Sequence, residues 1–270
     1  MVSSKSIVVV SDIHVGSKFA VCTEKPERDN DSDYKPTPNQ LELLDGWYDC
    51  IDNITQKPNA LVVNGEPIDG ANRFNMGDGV WSIEINDQLG DAKKLLNEIN
   101  YDKLYFVRGS GYHVTRDGTN YEKTLAKLMK AKKYKAVTGT NTYADYEHTF
   151  RGYGKHIHFT HHVGFAQWAM YRPTTIAREL VKKHFTRTED GFHTDVIVRS
   201  HVHYYVEVRF PHTIGFTCPA WKQPDGFMYR RGEPQLPNVG MMEIIIEPNG
   251  KITIEPHLVE VDWQKPITDL

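Results

Sequence analysis

The stretch Ile7–Ser17, IVVVSDIHVGS, constrains the fold more than any other. A continuous β-branched run reads as a strand buried on both faces, which requires covering layers on either side of its sheet. Asp12 and His14 fall where that strand ends and the chain turns. Ligand sites in open α/β sheets gather beyond the carboxyl ends of the strands, so a carboxylate and an imidazole two residues apart there can reach one divalent ion. Alone, D-x-H is better read as a strand-end turn or a helix cap. Similar clusters recur after four further strands, and they decide between the readings.

Cys22–Pro38 is polar and reads as a long surface loop. Thr37-Pro38 then opens a helix, Thr as N-cap and Pro at the first helical position, with Leu41, Leu44, Tyr48 and Ile51 on its predicted buried face. Ala60–Asn64 is a second strand. Residues 80–100 form a second helix with Leu89, Ala92, Leu96 and Ile99 along one side, and Leu104–Val107 a third strand. A Lys-rich helix over Tyr121–Lys132 turns Leu125, Leu128 and Met129 inward, its lysines forming a solvated face. This alternation predicts a parallel sheet with crossover helices. The second half differs. Thr142–Phe150 and His156–Thr160 read as antiparallel strands, a helix follows near Thr174–Phe185, and strands follow at Val196–Arg199, Tyr204–Phe210, Thr213–Thr217, Met242–Glu247 and Lys251–His257. No repeat or linker interrupts the chain. The expectation is a single domain over residues 1–270, with two sheets packed face to face and helices outside.

The second cluster is Gly65-Glu66-Pro67-Ile68-Asp69-Gly70, whose two carboxylates can share metal ions where glycines permit tight backbone. The third, Arg108-Gly109-Ser110-Gly111-Tyr112-His113, reads equally as a phosphate cradle and as an ordinary loop. In the fourth, His156, His158, His161 and His162 fall within seven residues, the last two at the strand's end. The fifth, Ser200-His201-Val202-His203, offers two imidazoles to one site. Five clusters in one structural position, with hard oxygen and imidazole groups and no thiolate, suit Mn²⁺, Fe, Zn²⁺ or Mg²⁺ and suffice for two ions.

Bulk properties exclude some classes. A net charge of −3 provides no global attraction to nucleic acid or to an anionic membrane. No apolar run approaches the ~20 residues of a membrane span, and no signal peptide is recognisable. Three widely spaced cysteines without C-x-x-C read as free thiols of a reducing compartment, so a cytoplasmic protein is expected.

With these residues laid out, the chain resembles the calcineurin-like metallophosphoesterase superfamily from Asp12 to His203. That family runs D-x-H, G-D-x-x-D, G-N-H-D or G-N-H-E, a strand-end His, and G-H-x-H. Asp12 and His14 match the first motif fully, and His201 and His203 match the H-x-H of the last. The resemblance implies a four-layer α/β/β/α sandwich of two mixed sheets flanked by helices. It implies hydrolysis of a phosphomonoester or phosphodiester by metal-activated water at a dinuclear site, with Mn²⁺ first among the candidate metals. Carried over, Asp12, His14 and His203 hold one ion. Glu66 takes the place of the bridging Asp, and Asp69 that of the second family Asp. His161 or His162 holds the second ion with His201, and His161 is favoured by its alignment with the strand's apolar face. His113 becomes the phosphate-facing His that assists the leaving group, together with Arg108.

Two departures stand out. Glu66 is one methylene longer than Asp, and Ser110, a poor ligand, occupies the place of the family's Asn, with His113 four residues after Gly109 instead of two. The Gln40…Trp47 segment, the R-G-S-x-x-H variant and Pro219-Ala220-Trp221 are similar to phage-encoded members. The implied partner is a phosphate ester, nucleotides and nucleic acids included. The aromatic loop Pro219–Pro237 reads equally as a substrate contact and as a homo-oligomer surface. The rivals are a degenerate member that binds one metal or a nucleotide without turnover, and a nuclease.

Overall fold

The computed structural model describes residues 3–30, 32–71, 77–116, 118–166, 168–185, 193–226, 228 and 236–261. β1 (Lys5–Val10), α1 (Pro38–Asp52), β2 (Ala60–Asn64), α2 (Ile85–Asn97) and β3 (Leu104–Val107) alternate as the pattern predicts. The three strands pair in parallel, Val8 opposite Leu61 and Leu61 opposite Leu104, so their C-terminal ends share one sheet edge. Next come α3 (Gly111–Val114), a short hairpin of β4 (Thr115–Arg116) and β5 (Thr119–Asn120), α4 (Tyr121–Leu128), and a second hairpin of β6 (Tyr134–Lys135) and β7 (Asn141–Thr142).

Thr142–Phe150, predicted as one strand, is divided. Thr142 ends β7, β8 (Ala144–Asp145) pairs with β3, and β9 (Glu147–Gly152) belongs to the other sheet. Side-chain bonds to the local backbone bend the chain between them: Thr142 Oγ1 donates to Ala144 O (3.0 Å), and Tyr146 N donates to Asp145 Oδ1 (2.9 Å). β10 (Lys155–Thr160), α5 (Arg172–Phe185), β11 (Val196–Arg199), β12 (Val206–Phe210) and β13 (Thr213–Thr217) complete the second sheet, ordered β12-β13-β11-β10-β9. β14 (Val239–Ile246) and β15 (Ile252–Val259) return to the first, ordered β15-β14-β1-β2-β3-β8.

Strand alternation sorts the core into layers. Val9, Val62, Val107 and Ile244 of the first sheet pack against Ile157, Phe159, Val198 and Phe216 of the second. Val8, Val10, Leu61 and Phe106 turn the other way, onto Leu43 and Trp47 of α1, Leu95 of α2 and Leu125 of α4. Ile176 and Leu180 of α5 cover Ile197 on the outer face of the second sheet. Each such side chain contributes roughly 1.5–3 kcal/mol on burial. The result is two mixed sheets face to face, flanked by helices on both sides.

Thr37 caps α1 as expected, and a reciprocal bond with Gln40 completes a capping box. The buried face is rotated from the predicted one. Gln40, Leu43, Leu44, Trp47 and Cys50 point inward, whereas Leu41 and Tyr48 are 39% and 41% exposed. Trp47 sets the rotation by meeting Trp221 edge-on at 4.8 Å, and Gln40 Nε2 reinforces it by donating to Ser17 O and Ala20 O. Leu128 is likewise exposed, because α4 ends there and buries Tyr121, Glu122, Leu125 and Ala126. The α2 face, Leu89, Ala92, Leu96 and Ile99, is buried as read.

Candidate metal centre

Parallel pairing carries the five clusters to adjoining sheet edges. Asn64, at the end of β2, ties the sheets together there: its Nδ2 donates to Thr160 O (3.2 Å) and Ser200 Oγ (2.7 Å), and its own carbonyl accepts His161 Nδ1 (2.7 Å). Seven non-glycine residues among those described have positive φ, and five lie in this region: Asp12, His14, Glu66, His201 and His203. Such conformations cost about 1–3 kcal/mol each and persist where the surroundings over-determine them. Gly65 allows a close approach, since a Cβ there would fall 2.2 Å from His161 Nδ1.

The side chains converge in three groups. Asp12, His14, Glu66 and His203 form one, Glu66, His161 and His201 a second, and His14, Asp69 and His113 a third. Within each group the ligand atoms lie within 4.8 Å of one another. Glu66 is common to the first two. Its Oε2 lies 3.1 Å from His14 Nε2 and its Oε1 lies 3.3 Å from His161 Nε2. Asp12 Oδ1 lies 3.3 Å from His203 Nε2.

This donor set fits a cation. His161 gives its Nδ1 proton to a carbonyl, so a neutral His161 turns a bare Nε2 lone pair toward the carboxylates of Glu66 and Asp12. Asp12 Oδ1, His161 Nε2 and His201 Nδ1 are buried without a hydrogen-bond partner. Buried polar atoms without a partner are costly, and positive charge between Asp12 Oδ1 and His161 Nε2, 3.9 Å apart, would satisfy both. The titration directions show the same demand for positive charge, which a proton on His161 or a metal ion can meet. Burial would raise the Asp12 carboxyl, but His161 and His203 hold it at about 2. Burial would lower His161, but Glu66 and Asp12 raise it to about 10. Burial pushes His201 down to about 4, which keeps it a neutral imidazole.

A ring of polar groups holds these side chains. Asp69 Oδ1 accepts from His14 Nδ1 (3.1 Å) and from Lys222 Nζ (3.0 Å), which fixes the His14 tautomer with Nε2 facing the centre. Lys222 is buried between Asp69 and Asp225, and these carboxylates raise its pKa against the effect of burial. His113 Nδ1 donates to Asp69 O (2.7 Å), and burial lowers its pKa. Glu122 Oε1 accepts from the backbone N–H of Glu66 (3.1 Å) and Gly109 (2.9 Å), while burial pushes its carboxyl up to about 7.

The structure thus gathers Asp12, His14, Glu66, Asp69, His113, His161, His201 and His203. His162 is exposed and belongs to none of the three groups, although its ring stands 4.5 Å from that of His201. Arg108 also stands outside them, its guanidinium 4.3 Å from the Tyr146 ring and 3.4 Å from Thr115 Oγ1. Trp221 is fully buried, so it is unavailable for the substrate contact or self-association expected of Pro219–Pro237. Phe227 and Tyr229 of that loop lie outside the described residues. Sequence reasoning missed Lys222 and Glu122. A lysine flanked by Ala220-Trp221 was the available signal for the first, and nothing local distinguished the second.

No family model and no curated protein matches the chain. Among solved structures it is similar to wild-type Vps29 of Entamoeba histolytica in complex with zinc (11% identity over 93% of this chain and 98% of that one, TM-score 0.45). It is also similar to an archaeal phosphodiesterase (10%, 93% and 99%, 0.43) and to a predicted phosphoesterase of Streptococcus pneumoniae (10%, 95% and 92%, 0.40). At these scores the likenesses carry no assignment, which rests on the residues of this chain.

Proposed function

We propose that the chain is a metal-dependent phosphoesterase, a variant member of the calcineurin-like metallophosphoesterase superfamily, folded as a single domain over residues 1–270. The supporting observation is the convergence of the ligand groups with orphaned buried atoms at their meeting point. In this reading Asp12, His14 and His203 hold one divalent ion, His161 and His201 hold the second, and Glu66 serves both. Two ions so held, Mn²⁺ first among Mn²⁺, Fe, Zn²⁺ and Mg²⁺, would supply charge against the phosphoryl oxygens and would make a water more acidic.

Asp69 keeps His14 in one tautomer, and Lys222 offsets the charge of Asp69. His113 donates its Nδ1 proton to the Asp69 carbonyl, and in its doubly protonated form its Nε2–H would donate to the leaving oxygen of a phosphate ester, nucleotide or nucleic acid. Arg108 adds positive charge at the end of β3. A cytoplasmic setting accords with three buried, unpaired thiols, and no helix among the described residues is long and apolar enough to cross a membrane.

The test follows hydrolysis of p-nitrophenyl phosphate and bis(p-nitrophenyl) phosphate with Mn²⁺ and with EDTA. Turnover that EDTA abolishes and His14→Ala lacks is the expected result. Wild-type protein no faster than His14→Ala overturns the reading. Ser110, in the place of the family's Asn, favours a second reading in which one ion binds without turnover. Metal analysis separates the two, with two equivalents expected for the enzyme.

A further inference from the structure

Glu66 and Ser110 look like independent losses when the family pattern is laid on the chain. In space they touch. Ser110 Oγ donates to Glu66 Oε1, and Ser110 N–H donates to the same oxygen at 3.2 Å. Ser110 is also the N-cap of α3, yet its side chain makes no capping bond there. A Ser at that position ordinarily accepts from the first helical turn. Here the hydroxyl is turned to a carboxylate instead.

The extra methylene of Glu66 has a place made for it. A Cβ on Gly109 would fall 2.6 Å from Glu66 Cγ and 2.8 Å from Glu66 N, so glycine is needed beside both the longer side chain and its backbone. The carboxylate then lies across the centre, Oε2 toward His14 and Oε1 toward His161. Glu122 secures the arrangement from behind by accepting the backbone N–H of both Glu66 and Gly109.

We propose that Glu66 and Ser110 form one coupled device: Glu66 spans both ligand groups with its two oxygens, and Ser110 positions that carboxylate and is not itself a ligand. The proposal rests on the two-ion reading above and goes beyond it, since it makes the second ion depend on a hydroxyl that donates to Glu66. The longer carboxylate and the serine then compensate each other.

The test titrates chelator-treated protein with Mn²⁺, counting equivalents by calorimetry and detecting an exchange-coupled ion pair by electron paramagnetic resonance. Wild type is expected to take two equivalents and to give the pair signal. Ser110→Ala should weaken the second equivalent by about 10- to 100-fold, the range for loss of an outer partner, and leave the first unchanged. Ser110→Thr keeps the hydroxyl and should restore wild-type binding. Glu66→Asp should bind one ion and lose the pair signal, and it carries the test should Ser110→Ala not fold. A second equivalent bound as tightly as in wild type in Ser110→Ala, or two equivalents with an unchanged pair signal in Glu66→Asp, overturns the proposal alone. A wild type that takes one equivalent overturns it together with the two-ion reading.

Discussion

Two buried carboxylate–histidine clusters sit near opposite ends of β1, and they solve the same problem differently. Near its start, Glu243 of β14 is fully satisfied. Its Oε1 accepts from Ser6 Oγ (2.7 Å) and Thr55 Oγ1 (2.8 Å), and its Oε2 accepts from Thr55 N (3.1 Å) and His257 Nε2 (3.2 Å). None of those residues has positive φ. Beyond its end, Asp12, His161 and His201 keep orphaned atoms on a backbone with five positive-φ residues. A cluster that serves the fold closes its hydrogen bonds, whereas one built to receive something leaves them open and carries strain.

Removing one member from each cluster should break this contrast most visibly. His14→Ala is expected to lower phosphoesterase turnover by more than ~100-fold, beyond the range for an outer partner. Glu243→Leu should leave turnover unchanged and cost about 1–3 kcal/mol of stability through stranded donors, read by denaturant titration. Added Mn²⁺ sharpens the distinction. At ~100 times its Kd it should stabilise wild type and Glu243→Leu alike by about 2.7 kcal/mol for each ion bound, seen as a raised Tm, and should raise His14→Ala by less, since that variant keeps only the ligands of the other ion. A smaller effect is expected from Lys222→Met, which strips Asp69 of its cation and should weaken Mn²⁺ binding by about 10-fold in calorimetry.

The smallest effect is one of pH. Burial would raise the Glu243 carboxyl, but bonds from His257, Ser6 and Thr55 hold it at about 2, below the ordinary 4.5. A depressed pKa contributes stability that is complete above pH 4.5 and is lost as the pH falls toward 2. Wild type should therefore lose more stability across that window than Glu243→Gln, with denaturation midpoints as the measure.

The layers and the strand-end positions of Asp12, Glu66, His161 and His201 were legible because buried parallel strands and crossover helices have strong local patterns. The rotation of α1 was not, since Leu41 and Tyr48 match a helical stripe as well as Leu43 and Trp47 do; the partner that chooses, Trp221, lies 174 residues further on. Lys222 and Glu122 escaped for a related reason. Their roles come from Asp69 and from the backbone of Glu66, which no local spacing encodes. That His161 and not His162 faces inward at the end of β10 depends on a carbonyl of β2, which no local spacing encodes.

The flank of β1 opposite β2 is covered by β14, more than two hundred residues later in the chain. During synthesis, β1 can gain β2 early but must wait for more than two hundred further residues before its other hydrogen-bonding edge is filled. So distant a closure slows folding and leaves an apolar ribbon open to wrong partners in the interval. A ribosome-bound chain halted before residue 239 would carry Asp12 and His14 just beyond a strand still half bare.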